Sequence, residues 1–221
     1  LTDAAMRAAL QTLAKFKRLA ESHKVDEVVA AATSATREAD NGGDFIAEVQ
    51  QQTGISIRVI SGTEEARLIH IAAGYGVDVG GSTAAVIDIG GGSVEITLGT
   101  AADLQFARSF KLGVIRLTER FVRTDPLAPR DERRMSKHIL AEIDRYCEQI
   151  TTAGFDRVIG TSGTVLSLGA LAGGRSVPAT DLRNVRVGAK QLRKLRKELV
   201  ALAKKNKGGL NYACSERRDT G

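Results

Sequence analysis

Eight consecutive residues, Asp88-Ile89-Gly90-Gly91-Gly92-Ser93-Val94-Glu95, set three glycines between two carboxylates and two apolar runs. Consecutive glycines let a backbone approach a ligand closely and turn its N–H groups toward an anion. A hairpin needs only about two turn residues, most often Asn-Gly or Asp-Gly, so this segment carries more than a turn requires. Asp88 and Glu95 are hard oxygen donors of the kind that hold Mg²⁺, whose task would be to neutralise phosphate charge. The plain alternative is a flexible turn with surface acids.

Three further segments have chemistry of the same type. Ser61-Gly62-Thr63-Glu64-Glu65-Ala66-Arg67 has the spacing of a helix-capping box from Ser61 to Glu64. Glu65 is one acid more than the cap uses and would suit proton abstraction from an attacking water, although acids also simply favour helix starts. Gly160-Thr161-Ser162-Gly163-Thr164 reads as a glycine and hydroxyl loop before a helix, and free N–H groups at such a start bind phosphate. It lacks the Gly-Lys-Ser/Thr ending of a Walker loop. Arg37, in Ala32-Thr33-Ser34-Ala35-Thr36-Arg37-Glu38-Ala39, falls just past a strand end; it would fork onto a phosphate or form an ion pair.

Other chemistries find little support. Cys147 and Cys214 are far apart and form no CxxC pair, and His23, His70 and His138 are scattered, which argues against a zinc or histidine metal centre. No apolar run approaches the ~18 residues of a membrane-spanning helix. Leu1-Thr2-Asp3-Ala4 has neither the charged start nor the apolar stretch of a signal peptide, so a cytoplasmic protein without a membrane partner is expected. The net charge of +6 favours a polyanionic partner. Much of it lies in Lys190 to Lys207, where eight basic residues accompany only Glu198; a solvated helix face accounts for that run equally well. Aromatics make up 4% of the chain, few for stacking single-stranded nucleic acid.

The elements that must position these groups follow from periodicity. Met6, Leu10, Leu13 and Ala20 predict an amphipathic helix over 3–23. Val28 to Ala32 predicts a strand, Thr33-Ser34 a cap for a short helix to Ala39, and Asn41-Gly42-Gly43 a turn. A helix from about Asp44 to Thr53 stops at Gly54; Ile55, Ile57 and Val59 alternate as a strand; Ser61 opens a helix to about Gly76. Gly80-Gly81-Ser82 breaks the pattern, and strands are expected at Ala84–Ile89, Val94–Leu98 and Leu104–Phe110. A helix after Gly113 to about Val122, a loop at Pro126 and Pro129, a long helix from Asp131 to Thr151, and a brief strand Arg157–Ile159 complete the order. Alternating helices and strands indicate an α/β protein with a boundary near residues 70–80.

In this order the stretches ATSATREADN, VISGTEEARLI, VIDIGGGSVEI, SFKLGVIRLTERF and GTSGTVLSL resemble the exopolyphosphatase/guanosine pentaphosphate phosphohydrolase (Ppx/GppA) family, over residues 31 to about 168. The resemblance implies an actin-like ATPase fold: two ribonuclease-H-like α/β domains around a cleft, here 1–70 and 71–221. It implies Glu65 as general base, with Asp88 beside the nucleophile and, together with Glu95, beside Mg²⁺. Arg37, Gly90, Gly91, Gly92 and Ser93 would contact phosphate, and Gly160, Thr161, Ser162, Gly163 and Thr164 would line the cleft. Family members open with a strand and an Asp-x-Gly-Ser-Asn loop, whereas this chain starts in a helix, and its text after Lys207 departs from the family. Both domains are therefore expected to be incomplete.

The activity so implied is Mg²⁺-assisted attack of water on a terminal phosphoryl group of polyphosphate or guanosine pentaphosphate, with homodimers common among relatives. Three rivals stay open at this stage: an ATP-dependent kinase of the same superfamily, a non-catalytic binder of polyphosphate or guanosine tetra- and pentaphosphate, and a basic nucleic-acid binder.

Overall fold

A computed structural model of the chain describes residues 1–77, 81–125, 127–173 and 185–205. Gly80, Pro126, Lys207 and Cys214 lie outside the described residues. The chain is a mixed α/β protein of two compact units, Leu1–Leu68 and Ile69–Gly221.

The first unit begins with α1 (Asp3–Ser22), capped by the Thr2 hydroxyl, which accepts from the Ala5 amide. β1 (Ala30–Ala32) pairs in parallel with β2 (Ile57–Val59), Ala30 opposite Ile57. Between them run α2 (Ser34–Arg37) and α3 (Gly42–Thr53). Leu10, Phe45, Val49 and Ile55 form the core of this unit. Fully burying each such side chain contributes about 1.5–3 kcal/mol.

Two local expectations change here. The Thr33 side chain makes no cap hydrogen bond; instead the neighbouring Ser34 hydroxyl donates to Glu38 at 3.0 Å. Gly42 and Gly43 are the first residues of α3 rather than a turn. Gly42 has a packing role as well: a Cβ there would stand 2.1 Å from the Thr36 carbonyl oxygen, six residues earlier. Gly54 ends α3 as expected, in the left-handed conformation at φ 70°.

α4 (Gly62–Gly76) carries the division between the units within it. The second unit then lays down an antiparallel meander of β3 (Ala84–Ile89), β4 (Val94–Gly99) and β5 (Leu104–Phe110). α5 (Val114–Phe121) and α6 (Pro129–Ala153) lead to β6 (Arg157–Thr161), parallel to β3. The sheet order is β5-β4-β3-β6, a ribonuclease-H-like arrangement. α7 (Ser162–Ala172) and α8 (Ala189–Lys205) follow.

Alternation along the strands gives the sheet two different faces. One buries Ala85, Ile96, Leu98 and Phe110 under α6, whose Ile139, Ile143, Tyr146 and Ile150 recur at helical spacing. Tyr146 meets Phe106 and Phe110 at ring-centroid distances of 5.9 and 5.3 Å. The other face buries Ala84, Val86 and Ile159 against Ala73 of α4. Buried His70 joins α4 to β4: Nδ1 lies 2.7 Å from the Thr97 hydroxyl and Nε2 3.0 Å from the Thr100 carbonyl. A carbonyl only accepts, so Nε2 carries the hydrogen.

Candidate active site

The second face turns from apolar to acidic at its edge. Asp88 and Glu95 are cross-strand partners on β3 and β4, so both side chains leave the same face, with Cβ atoms about 4.5–5.5 Å apart. The row extends across all four strands, because Ser109 of β5 is the partner of Glu95 and Thr161 of β6 is the partner of Asp88. The outer hydroxyls serve the inner acids. Ser109 donates to Glu95 Oε1 at 2.6 Å and Thr161 to Asp88 Oδ2 at 2.5 Å, lengths expected of hydrogen bonds to carboxylates.

Immediately beyond Asp88, the triglycine segment folds into a turn closed by a 3.0 Å bond from the Gly90 amide to the Ser93 carbonyl. Its other carbonyls face α5. Gly90 accepts from Val114 (3.0 Å), Gly91 from Ile115 (3.0 Å) and Gly92 from Gly113 (3.3 Å). The Arg116 Nε adds a 3.0 Å bond to the Gly92 carbonyl. In a trans peptide the C=O and N–H point in opposite directions. The amides of Gly91, Gly92 and Ser93 belong to those same three peptide units, so they face away from α5. Among the described residues none of the three has an acceptor. Three adjacent N–H groups turned to one side are an arrangement suited to an anion.

α5 therefore serves the loop as a support. The amides at its start, which lack partners within a helix, bind the loop carbonyls. Gly113 is what allows the approach: a Cβ there would stand 2.2 Å from the Gly91 oxygen. Gly113 and Arg116 lie in the SFKLGVIRLTERF stretch, but nothing local to that stretch says what they touch.

The second glycine segment is a direct strand-to-helix junction, since Gly160 and Thr161 finish β6 and Ser162 opens α7. With no loop residue to absorb the reversal, Ser162 takes φ +83°, a conformation costing a residue with a Cβ about 1–2 kcal/mol. Its hydroxyl donates to the Ile89 carbonyl at 2.9 Å, which ties the junction to the residue before the triglycine turn. Thr161 makes no side-chain cap bond to α7, its hydroxyl being turned to Asp88 instead. The Gly163 and Thr164 amides, in the first turn of α7, find no acceptor among the described residues. Gly160 has a packing reason, because a Cβ would stand 2.4 Å from Val165 Cγ1.

Asp88, Gly90, Gly91, Gly92, Ser93, Glu95, Thr161, Ser162, Gly163 and Thr164 thus gather at the carboxyl ends of β3 and β6 and the start of β4. Ligands of open α/β sheets bind at strand carboxyl ends. Two carboxylates are a set of the kind that suits Mg²⁺, which takes one or two carboxylates and completes its shell with water and substrate phosphate. Among the described residues no group of three or more His, Cys, Asp and Glu side chains is arranged to hold a metal.

Arg37 and Glu65 lie in the first unit. Arg37 Nη1 donates to the Ile60 carbonyl at 2.8 Å and to Glu65 Oε2 at 3.1 Å, both side chains being mostly buried. Its Nε and Nη2 make no hydrogen bond among the described residues. The capping-box spacing is realised on one side, with the Glu64 amide donating to Ser61 Oγ at 3.1 Å. In the described part of the basic run, on α8, Lys194 pairs with Glu198 at 3.6 Å and Arg196 with Glu132 of α6.

The family model described as the Ppx/GppA phosphatase family matches residues 1–220. The chain belongs to this family. Among Ppx/GppA relatives, exopolyphosphatase 1 of Mycobacterium leprae is 32% identical over 174 residues, covering 78% of this chain and 51% of that protein. The chain thus spans about half the length of that curated relative. The crystal structure of an exopolyphosphatase from Cytophaga hutchinsonii is similar at TM-score 0.80 and 30% identity, over 91% of this chain and 65% of that one. An Aquifex aeolicus Ppx/GppA family member has the same fold at TM-score 0.74 and 24% identity, over 91% and 64% of the two chains.

Proposed function

We propose that this chain forms part of the catalytic core of a Mg²⁺-dependent phosphohydrolase that releases terminal phosphate from inorganic polyphosphate or guanosine pentaphosphate. The observation that carries this reading is the orientation of three consecutive amides. The carbonyls of Gly90, Gly91 and Gly92 are held by α5, which leaves the Gly91, Gly92 and Ser93 N–H groups turned outward where a phosphoryl oxygen would accept them.

Phosphoryl transfer relies on positioning and on neutralising charge. The second unit would contribute the amide cup, the α7 start with its Gly163 and Thr164 amides, and the Asp88 and Glu95 carboxylates as cation ligands. A Mg²⁺ ion bound there would supply charge neutralisation for the phosphate oxygens. The family resemblance gives Glu65 the part of accepting a proton from the attacking water and Arg37 that of a phosphate contact, for which Nε and Nη2 would be the donors. The Arg37–Glu65 bond through Oε2 holds that carboxylate in one orientation, as a general base needs. The exopolyphosphatase relatives favour polyphosphate as the substrate.

The test is phosphate release by the complete protein offered polyphosphate and guanosine pentaphosphate, with Mg²⁺ and then with EDTA. Release from either substrate that EDTA stops is the expected result. No release from either, with Mg²⁺ present, would sink the proposal.

A further inference from the structure

Glu95 is 2% exposed, and a carboxylate so buried is stable as an anion only where donors face it. Ser109 provides one, through its 2.6 Å bond to Oε1. We infer that Ser109 is a positioning residue, which fixes the Glu95 carboxylate beside Asp88 for cation binding. The inference rests on the cation reading proposed above.

Three observations support it. Ser109 is the register partner of Glu95, so the bond joins two side chains already rooted on adjacent strands. Serine is not a preferred strand residue, where β-branched and aromatic side chains pack better. Two positions earlier on the same face of β5, Ala107 stands opposite Thr97, so the face accepts an alanine; what sets position 109 apart is a hydroxyl facing a carboxylate. On the far side of the row Thr161 holds Asp88 in the same way. Each acid thus has one oxygen tied to a strand neighbour, and the rotamer freedom of the two acids is lost on folding rather than on ligand binding.

Mn²⁺ serves as the probe, its binding to the 221-residue chain followed by electron paramagnetic resonance of the free ion. Partners that orient metal ligands change metal affinity by about 10- to 100-fold when removed, and Ser109→Ala is expected to weaken Mn²⁺ binding by that factor. Ser109→Thr keeps the hydroxyl and should bind as the wild type does. If Ser109→Ala does not fold, Ser109→Cys keeps the shape with a weak donor and carries the same expectation. In the Glu95→Gln background, Ser109→Ala should cause no further loss. A lower unfolding temperature with unchanged Mn²⁺ affinity would make Ser109 merely structural and overturn the inference, while weakening by Asp88→Asn would leave the cation site standing. Absence of Mn²⁺ binding by the wild-type chain would overturn the cation site and this inference with it.

Discussion

The Arg37 guanidinium and the Glu65 carboxylate meet at 3.1 Å in a mostly buried pair, joining the start of α4 to the end of α2. The pair gives the acid a fixed orientation that its place in a helix first turn alone would not. Glu65→Gln preserves an acceptor for Arg37 and removes the base. The complete protein carrying it should bind polyphosphate normally and release phosphate at least ~100-fold more slowly, the low end for a positioned base. Turnover near that of the wild type would remove Glu65 from the mechanism.

Arg37→Ala should act on stability as well. It removes the donor to both the Ile60 carbonyl and Glu65, leaving a mostly buried carboxylate without that partner. A loss of about 1.5–3 kcal/mol is expected for a hydrogen bond to a charged group in such a setting, measured by denaturant unfolding of the chain. A change within experimental error would show that solvent replaces the pair.

Gly113→Ala tests the support of the amide cup. The added Cβ would meet backbone atoms of Gly91 and Gly92 at 2.2–2.4 Å, and backbone cannot move aside as a flexible side chain can. The substitution should cost about 1–3 kcal/mol, as overpacking does, and should weaken polyphosphate binding measured by calorimetry. Full binding in the variant would mean that the cup does not depend on its contact with α5.

Ser162 allows a prediction of sign. In most helices alanine is favoured over glycine by about 0.5–1 kcal/mol. At φ +83° the order should reverse: both Ser162→Ala and Ser162→Gly lose the bond to Ile89, but only glycine also sheds the strain. The glycine variant should be the more stable of the two by about 1 kcal/mol, read from thermal unfolding. Alanine equal to or better than glycine would exclude backbone strain at this junction.

Chelation provides the last test. EDTA should stop phosphate release by the complete protein and Mg²⁺ should restore it. Since neutralising phosphate charge lowers the barrier by several kcal/mol, Asp88→Asn should slow release by at least ~100-fold. Release that persists in EDTA would remove the cation from the reaction.

The sequence by itself determined what is local. The 3.6-residue period sets α1 and the alternation of Ile55, Ile57 and Val59 sets β2, because each pattern is written within one element. The glycines at 90–92 already imply a backbone open to an anion, since missing side chains are visible in one dimension. The resemblance of five segments to the Ppx/GppA family was likewise legible.

Tertiary structure decided what depends on partners far along the chain. That Thr161 serves Asp88, 73 residues away, follows from the parallel register of β3 and β6, and no local pattern fixes the register of two distant strands. Which way the triglycine amides point was set by the start of α5, where the amides of Gly113, Val114 and Ile115 bind the carbonyls of Gly92, Gly90 and Gly91. In each case a polar group had to be satisfied by a segment brought to it only by folding.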